Sequence, residues 1–163
     1  MKRTKFKNSF ILNLFFCVLS SLLLYFSFPP FKFWYFSFFS FIPIFINCKN
    51  KSFSNFFYGL FSGLIFYSLS LYWLKTVAGL IYLLLGFYLS IYWAIFLYLI
   101  FSFDIKKIIF IGSCVWAFLE VIISNFLTGF PWLLLGLSQY SNPYILKIAK
   151  FIGIYGVSFL IIA

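Results

Sequence analysis

The chain has 163 residues, 65% of them hydrophobic, 28% aromatic and only 9% charged. Soluble domains are near half apolar and a quarter charged, so this composition excludes an ordinary cytosolic fold, and its wealth of bulky apolar side chains excludes disorder. The net charge of +10 would suggest a nucleic-acid surface in a soluble protein, but here the basic residues sit at the ends of apolar runs, where they set membrane topology rather than bind nucleic acid.

A bilayer core about 30 Å thick needs roughly 20 apolar residues in a helix. A first helix is expected from about Ser9 to Phe28, behind Lys2, Arg3, Lys5 and Lys7, and stopped by Pro29-Pro30. No small-x-small cleavage site follows it, so it reads as a retained helix and not a signal peptide. A second, short run spans Phe31 to about Asn47, with Pro43 expected to kink it, and a polar turn with Lys49 and Lys51 follows. Further helices are expected from about Phe53 to Leu74, Leu80 to Phe103 and Ile108 to Leu127, the last after the turn Asp104-Ile105-Lys106-Lys107. An uncharged stretch from Thr128 to Pro143 suits a loop or a re-entrant segment, and a sixth helix begins near Tyr144.

The fold class expected is therefore an all-α integral membrane bundle of about five complete spans and a partial sixth, forming one transmembrane domain over 1–163. With the N-terminus cytoplasmic, the inside holds basic positions 2, 3, 5, 7, 49, 51, 106 and 107, and the outside holds Lys32, Lys75, Lys147 and Lys150. Basic residues prefer the cytoplasmic side, which favours this orientation. The sixth helix enters hydrocarbon near Phe151 and reaches Ala163 after about 20 Å of helix. That is short of a span, so the chain reads as the front part of a longer protein.

Chemistry-bearing residues are few. Three scattered cysteines (Cys17, Cys48, Cys114) and the absence of histidine supply neither a metal site nor a disulfide framework, and no cofactor motif is present. There is no paired carboxylate set, so no catalytic residue is assigned within this chain. Gly59 and Gly63 form a GxxxG, repeated in kind by Gly86 with Ser90 and Ser113 with Ala117. This spacing serves either dimerisation or packing within one bundle, and packing is favoured. Glu120 is the one acid within a span. It reads either as a proton or substrate site or as a structural ion pair with Lys147 or Lys150, and the ion pair is favoured for want of a second intramembrane acid.

Glu120, then Thr128-Gly129-Phe130-Pro131-Trp132 eight residues later, then Gly136-Leu137-Ser138-Gln139 and Asn142-Pro143, together resemble the membrane domain of bacterial apolipoprotein N-acyltransferases. Phe28-Pro29-Pro30-Phe31, Phe41-Ile42-Pro43-Ile44, the glycines 59 and 63 followed by Tyr72-Trp73-Leu74, and Gly153 through Phe159 match in the same order. The resemblance implies residence in the bacterial inner membrane, phospholipid and lipoprotein as partners, and acyl transfer to the N-terminal diacylglyceryl cysteine. It also implies that a nitrilase-type extramembrane domain carries the cysteine nucleophile, glutamate and lysine. None of those three has a counterpart here, so this chain alone is expected to be inactive unless a separate catalytic chain supplies them. Ile123 stands where the family usually has arginine, and Leu137 where it has tyrosine. The outer segment, with Thr128, Gly129, Phe130, Pro131, Trp132, Ser138 and Gln139, reads equally as a floor that admits acyl chains or as a buried loop satisfying its own polar groups. The alternative from another class is a small multi-pass substrate-binding subunit of a transporter.

Overall fold

The structure, a computed structural model, describes residues 2–48, 52–103, 108–127 and 129–163. It is all-helical, with no strand among the described residues. Helix α1 (Lys2–Ser27) is followed by two short helices, α2 (Phe36–Phe39) and α3 (Ile42–Asn47). Then come α4 (Ser54–Ser70), a 3-10 turn (Tyr72–Leu74), α5 (Lys75–Ala78), α6 (Ile81–Ile100) and α7 (Ile108–Asn125). Two further 3-10 turns (Pro131–Leu133 and Leu135–Gln139) lead into α8 (Pro143–Ile162).

Two helices, α6 and α8, are long and apolar enough to cross a membrane, and a third span results if α4 and the segment ending at Ala78, bent by 57°, count as one. The apolar parts of α1 and α7 are shorter. The run from Phe31 to Asn47 is a correction to the sequence expectation. It is two helical pieces broken at Ser40-Phe41, and Pro43 sits in the first turn of α3. There a proline removes no helical hydrogen bond, so it starts the helix instead of kinking it. The sixth helix is likewise not continuous: Gly153 has φ 69 and ψ 179, which breaks α8 in its second half.

The bundle is centred on α4 against α6. A Cβ on Gly59 would lie 2.5 Å from the Trp93 carbonyl oxygen and 2.8 Å from the Ala94 Cα, and one on Gly63 would lie 2.8 Å from the Ser90 Cα. The GxxxG face is thus turned inward to a helix of the same chain, where small residues let two backbones approach closely. Around this contact Phe41, Phe66, Trp93, Phe96 and Trp116 form a buried aromatic cluster, with Trp116 at 4.8 Å from Phe96 and 5.0 Å from Phe41 between ring centroids. Tilted and edge-on arrangements of this kind satisfy the ring quadrupoles.

Buried hydroxyls and an amide join the outer helices to the centre. Ser21 Oγ donates to the Ser62 carbonyl at 2.8 Å, Ser20 Oγ to the Ser40 carbonyl at 2.5 Å, and Asn13 Nδ2 to the Tyr58 hydroxyl at 2.6 Å. Other serines return their protons to the preceding turn, as Ser113 does to the Ile109 carbonyl at 3.0 Å. The outward faces are apolar, with Leu84, Phe118 and Phe151 among the most exposed side chains. A surface of this kind fits hydrocarbon and not water.

Candidate functional site

The sequence elements that stand apart in the chain converge at one end of the bundle, in the segment from Gly129 to Asn142. Helix α7 ends by a tight reversal. Leu127 has φ 55, Gly129 has φ 60, and the Phe130 amide donates to the Ile123 carbonyl at 2.9 Å. A side chain at Gly129 would also run into the Ser124 carbonyl, so only glycine fits there. Thr128 lies outside the described residues.

After the reversal, Pro131 opens a 3-10 turn that leaves Trp132 exposed. The Trp132 ring stacks on Trp73, with centroids 5.4 Å apart and planes 6° apart, and on Phe130 at 5.5 Å. Trp73 belongs to the turn after α4, so two motifs nearly sixty positions apart meet face to face. Together with Phe28, Pro29, Leu71 and Tyr140 they wall an open, mainly apolar groove of about 530 Å³. The hydroxyl of Ser70, also in its lining, is buried with no hydrogen-bond partner among the described residues. The described lining holds no cysteine, acid or lysine. Lys75 stands beside the groove, its Nζ 5.4 Å from the Tyr72 ring centroid.

The second half of the segment is held by buried polar bonds. The Leu135 amide donates to Glu120 Oε1 at 2.5 Å, and the Gly136 amide to Ser158 Oγ at 2.8 Å. A Cβ at Gly136 would lie 2.5 Å from the Ile154 carbonyl oxygen, so the loop backbone rests directly on α8. Gln139 Nε2 donates to Ser37 Oγ at 2.7 Å and to the Trp34 carbonyl at 3.1 Å, while its Oε1 accepts from Asn142 Nδ2 at 3.0 Å. Asn142 Oδ1 in turn accepts from the Tyr144 and Ile145 amides and caps α8. The Tyr140 hydroxyl donates to the Phe31 carbonyl at 2.5 Å. Ser138 is fully buried, close to Gln139.

Glu120 is 2% exposed, and its partners differ from those expected. Oε1 accepts from the Trp116 indole at 2.9 Å and from the Leu135 amide. Lys147 and Lys150 are exposed on the first half of α8, and no ion pair joins either to Glu120 among the described residues. The bonds that Glu120 makes have a physical reason. Long basic side chains carry their charge outward to polar surroundings, whereas two neutral N–H donors satisfy a buried carboxyl oxygen without a second buried charge.

Several site residues carried no mark in the sequence. Trp116 stands one helical turn before Glu120 and was discoverable from that spacing. Ser158 lies inside the Gly153–Phe159 match. Ser37 and Trp34 belong to an aromatic run with no distinguishing pattern, and only the fold brings them under Gln139. The cysteines do not contribute: Cys17 is buried in the bundle, Cys48 is half-buried at the end of α3, and Cys114 is exposed on α7.

The family model for the apolipoprotein N-acyltransferase N-terminal domain matches residues 20–163. The chain belongs to the apolipoprotein N-acyltransferase family. It is 34% identical over 155 residues to the enzyme of Wigglesworthia glossinidia brevipalpis, covering 83% of this chain and 30% of that protein. It is 33% identical over 159 residues to that of Geobacter metallireducens, covering 88% and 30%, and 29% identical over 167 residues to that of Haemophilus influenzae, covering 95% and 31%. The chain thus spans about a third of the length of the curated relatives it matches. These matches lend the transporter-subunit reading no support.

Proposed function

We propose that this chain is the membrane portion of an enzyme that moves an acyl chain from a phospholipid to the N-terminal diacylglyceryl cysteine of a lipoprotein in the bacterial inner membrane. The observation that carries the reading is the groove at the Trp73–Trp132 stack. It is open, mainly apolar, and built from the same motifs that mark the family. A slot of this size suits a hydrocarbon chain, and a few hydroxyls and indole N–H groups at its edge suit an ester. Trp132 and Tyr140 have the amphipathic rings favoured at a membrane–water boundary.

In this reading the described residues bind and orient the lipid, and the thioester chemistry belongs to a catalytic domain carrying cysteine, glutamate and lysine. This chain forms a single multi-pass transmembrane domain with a cytoplasmic N-terminus, and Lys32, Lys75, Lys147 and Lys150 face the outside. Alone, it transfers no acyl group; transfer to a lipoprotein N-terminus by the purified chain would overturn that statement.

The lipid reading is tested by irradiating the protein in nanodiscs that contain a phospholipid with a photoreactive acyl chain and mapping the adducts by mass spectrometry. Adducts concentrated on the groove lining, Leu71 and Leu137 included, are the expected result. Labelling spread evenly over the apolar outer faces, such as Leu84 and Phe118, would refute it.

A further inference from the structure

Beneath the outer segment, on the bundle side, is a second and far smaller void of about 10 Å³. Tyr67 of α4, Trp116 and Glu120 of α7, and Phe130 and Leu134 of the outer segment wall it. Oε1 of Glu120 is committed to Trp116 and Leu135, but Oε2 is buried with no partner meeting hydrogen-bond geometry among the described residues; the Ser158 hydroxyl, the other donor near this carboxyl, donates to the Ile154 carbonyl at 3.3 Å. The side chain that carries it is nearly inaccessible. Tyr67 is 3% exposed and shares the lining of the void with Glu120. The Trp93 Nε1 is itself a buried donor with no partner meeting hydrogen-bond geometry among the described residues.

We propose that this void is a single-water site, in which one internal water donates to Glu120 Oε2 and accepts from the Tyr67 hydroxyl. The size decides the ligand: roughly 10–15 Å³ of accessible space is what one water needs, and nothing larger fits. Polarity decides the occupancy, because apolar voids of this kind stay dry while voids with two or more hydrogen-bonding walls hold ordered water. The arrangement is consistent in its donors and acceptors. The Tyr67 hydroxyl supplies a proton to the water, and the water supplies a proton to the orphaned carboxyl oxygen. No cation is needed, which fits a carboxyl whose expected partners Lys147 and Lys150 are exposed. The water then joins α4 to α7 through side chains, beside the Phe130–Ile123 backbone bond that ties the outer segment to α7, and this role is independent of what the groove above accommodates.

The test is a structure of the protein from lipidic mesophase crystals, at a resolution that shows ordered water, for the wild type and for Tyr67→Phe. The expected result is one peak within hydrogen-bond distance of Glu120 Oε2 and of the Tyr67 oxygen. In Tyr67→Phe that peak is lost while the Leu135–Glu120 bond persists. An empty void in a map that shows other buried waters would overturn the proposal. So would a side-chain atom bonded to Oε2 in its place, or a peak unaffected by the substitution.

Discussion

Replacing Glu120 distinguishes the bonding seen here from an ion pair. Its Oε1 is the acceptor for two buried donors, the Trp116 indole and the Leu135 amide. In Glu120→Ala both donors lose their acceptor inside the bundle, and each orphaned group costs about 1–3 kcal/mol. Polar groups within a membrane find substitute partners in the unfolded state, and measured intramembrane bonds average about 0.6 kcal/mol. The lower end therefore applies, and a loss of about 2 kcal/mol is expected, a roughly thirty-fold shift in the folding equilibrium. Glu120→Gln retains a carbonyl oxygen at the same place, and Lys147→Ala and Lys150→Ala remove exposed side chains with no bond to the acid. All three should stay within about 0.5 kcal/mol of wild type. The assay is unfolding in mixed micelles, followed by hydrogen exchange at the Leu135 amide, which should speed up in Glu120→Ala alone. If Glu120→Gln destabilised as much as Glu120→Ala, or either lysine substitution matched it, the carboxylate charge and not its oxygen would be the operative feature, and the account would fail.

Four further outcomes follow from the same geometry. Gly59→Ala should destabilise by about 1–3 kcal/mol because its Cβ meets the Trp93 carbonyl at 2.5 Å, whereas Gly86→Ala, whose Cβ comes no closer to a neighbour than 3.6 Å from Tyr67, should be near neutral; equal thermal midpoints would contradict the packing. Gln139→Ala removes the donor to Ser37 and Trp34 and should loosen the segment by about 1–3 kcal/mol, read as faster proteolysis or exchange between 129 and 142. Asn142→Ala removes the cap of α8 and should cost about 0.5–2 kcal/mol, and Asn142→Asp should restore the cap alone, because its carboxylate cannot donate to Gln139 Oε1; thermal midpoints of the two variants check this. Trp132→Ala removes a stack worth about 0.5–1.5 kcal/mol, and it should reduce photoreactive-lipid labelling at Leu71 while leaving the bundle folded, as judged by unchanged exchange at the Leu135 amide.

The helical architecture was legible because hydrophobic run length is a strong signal, and the positions of α4, α6 and α7 lie within a few residues of those expected. The second element was misread because composition alone treats Phe31 to Asn47 as one apolar run. Ser37 and Ser40 turn their hydroxyls onto the carbonyls of Trp34 and Ser37, three residues back, which favours short turns over a continuous helix. The break at Gly153 was equally invisible, since glycines such as 153 and 156 are common in apolar membrane helices and only the backbone angles show the interruption. Among the residues named from the sequence, Gly129, Pro131, Trp132, Ser138 and Gln139 lie in one segment simply because they are near one another in the chain. What the sequence could not supply were their partners, because Ser37, Trp73 and Ser158 are brought to them only by the fold.

The choice of partners at Glu120 and Gln139 follows from where the segment sits. A connection of some fifteen residues packed against the bundle carries backbone N–H and C=O groups that, once buried, must find partners within the protein. Charges would satisfy them at a high desolvation cost, and a regular helix would satisfy them but leave no open groove. The structure takes a third course. Leu135 and Gly136 give their amides to side chains on α7 and α8, and Gln139 uses both ends of its amide to join Ser37 to the cap of α8. The anchors lie on three helices, α2, α7 and α8, so the segment is fixed by several independent points while Pro131 to Leu133 remains free to expose Trp132 beside Trp73. Rigid attachment on the bundle side and an exposed aromatic pair on the other are what a surface for lipid chains requires. The prediction that separates the two is a paired measurement: substitutions at Gln139 should alter stability more than labelling, and substitutions at Trp132 labelling more than stability. A reversal of that order would mean that the stack, and not the polar anchors, holds the segment in place.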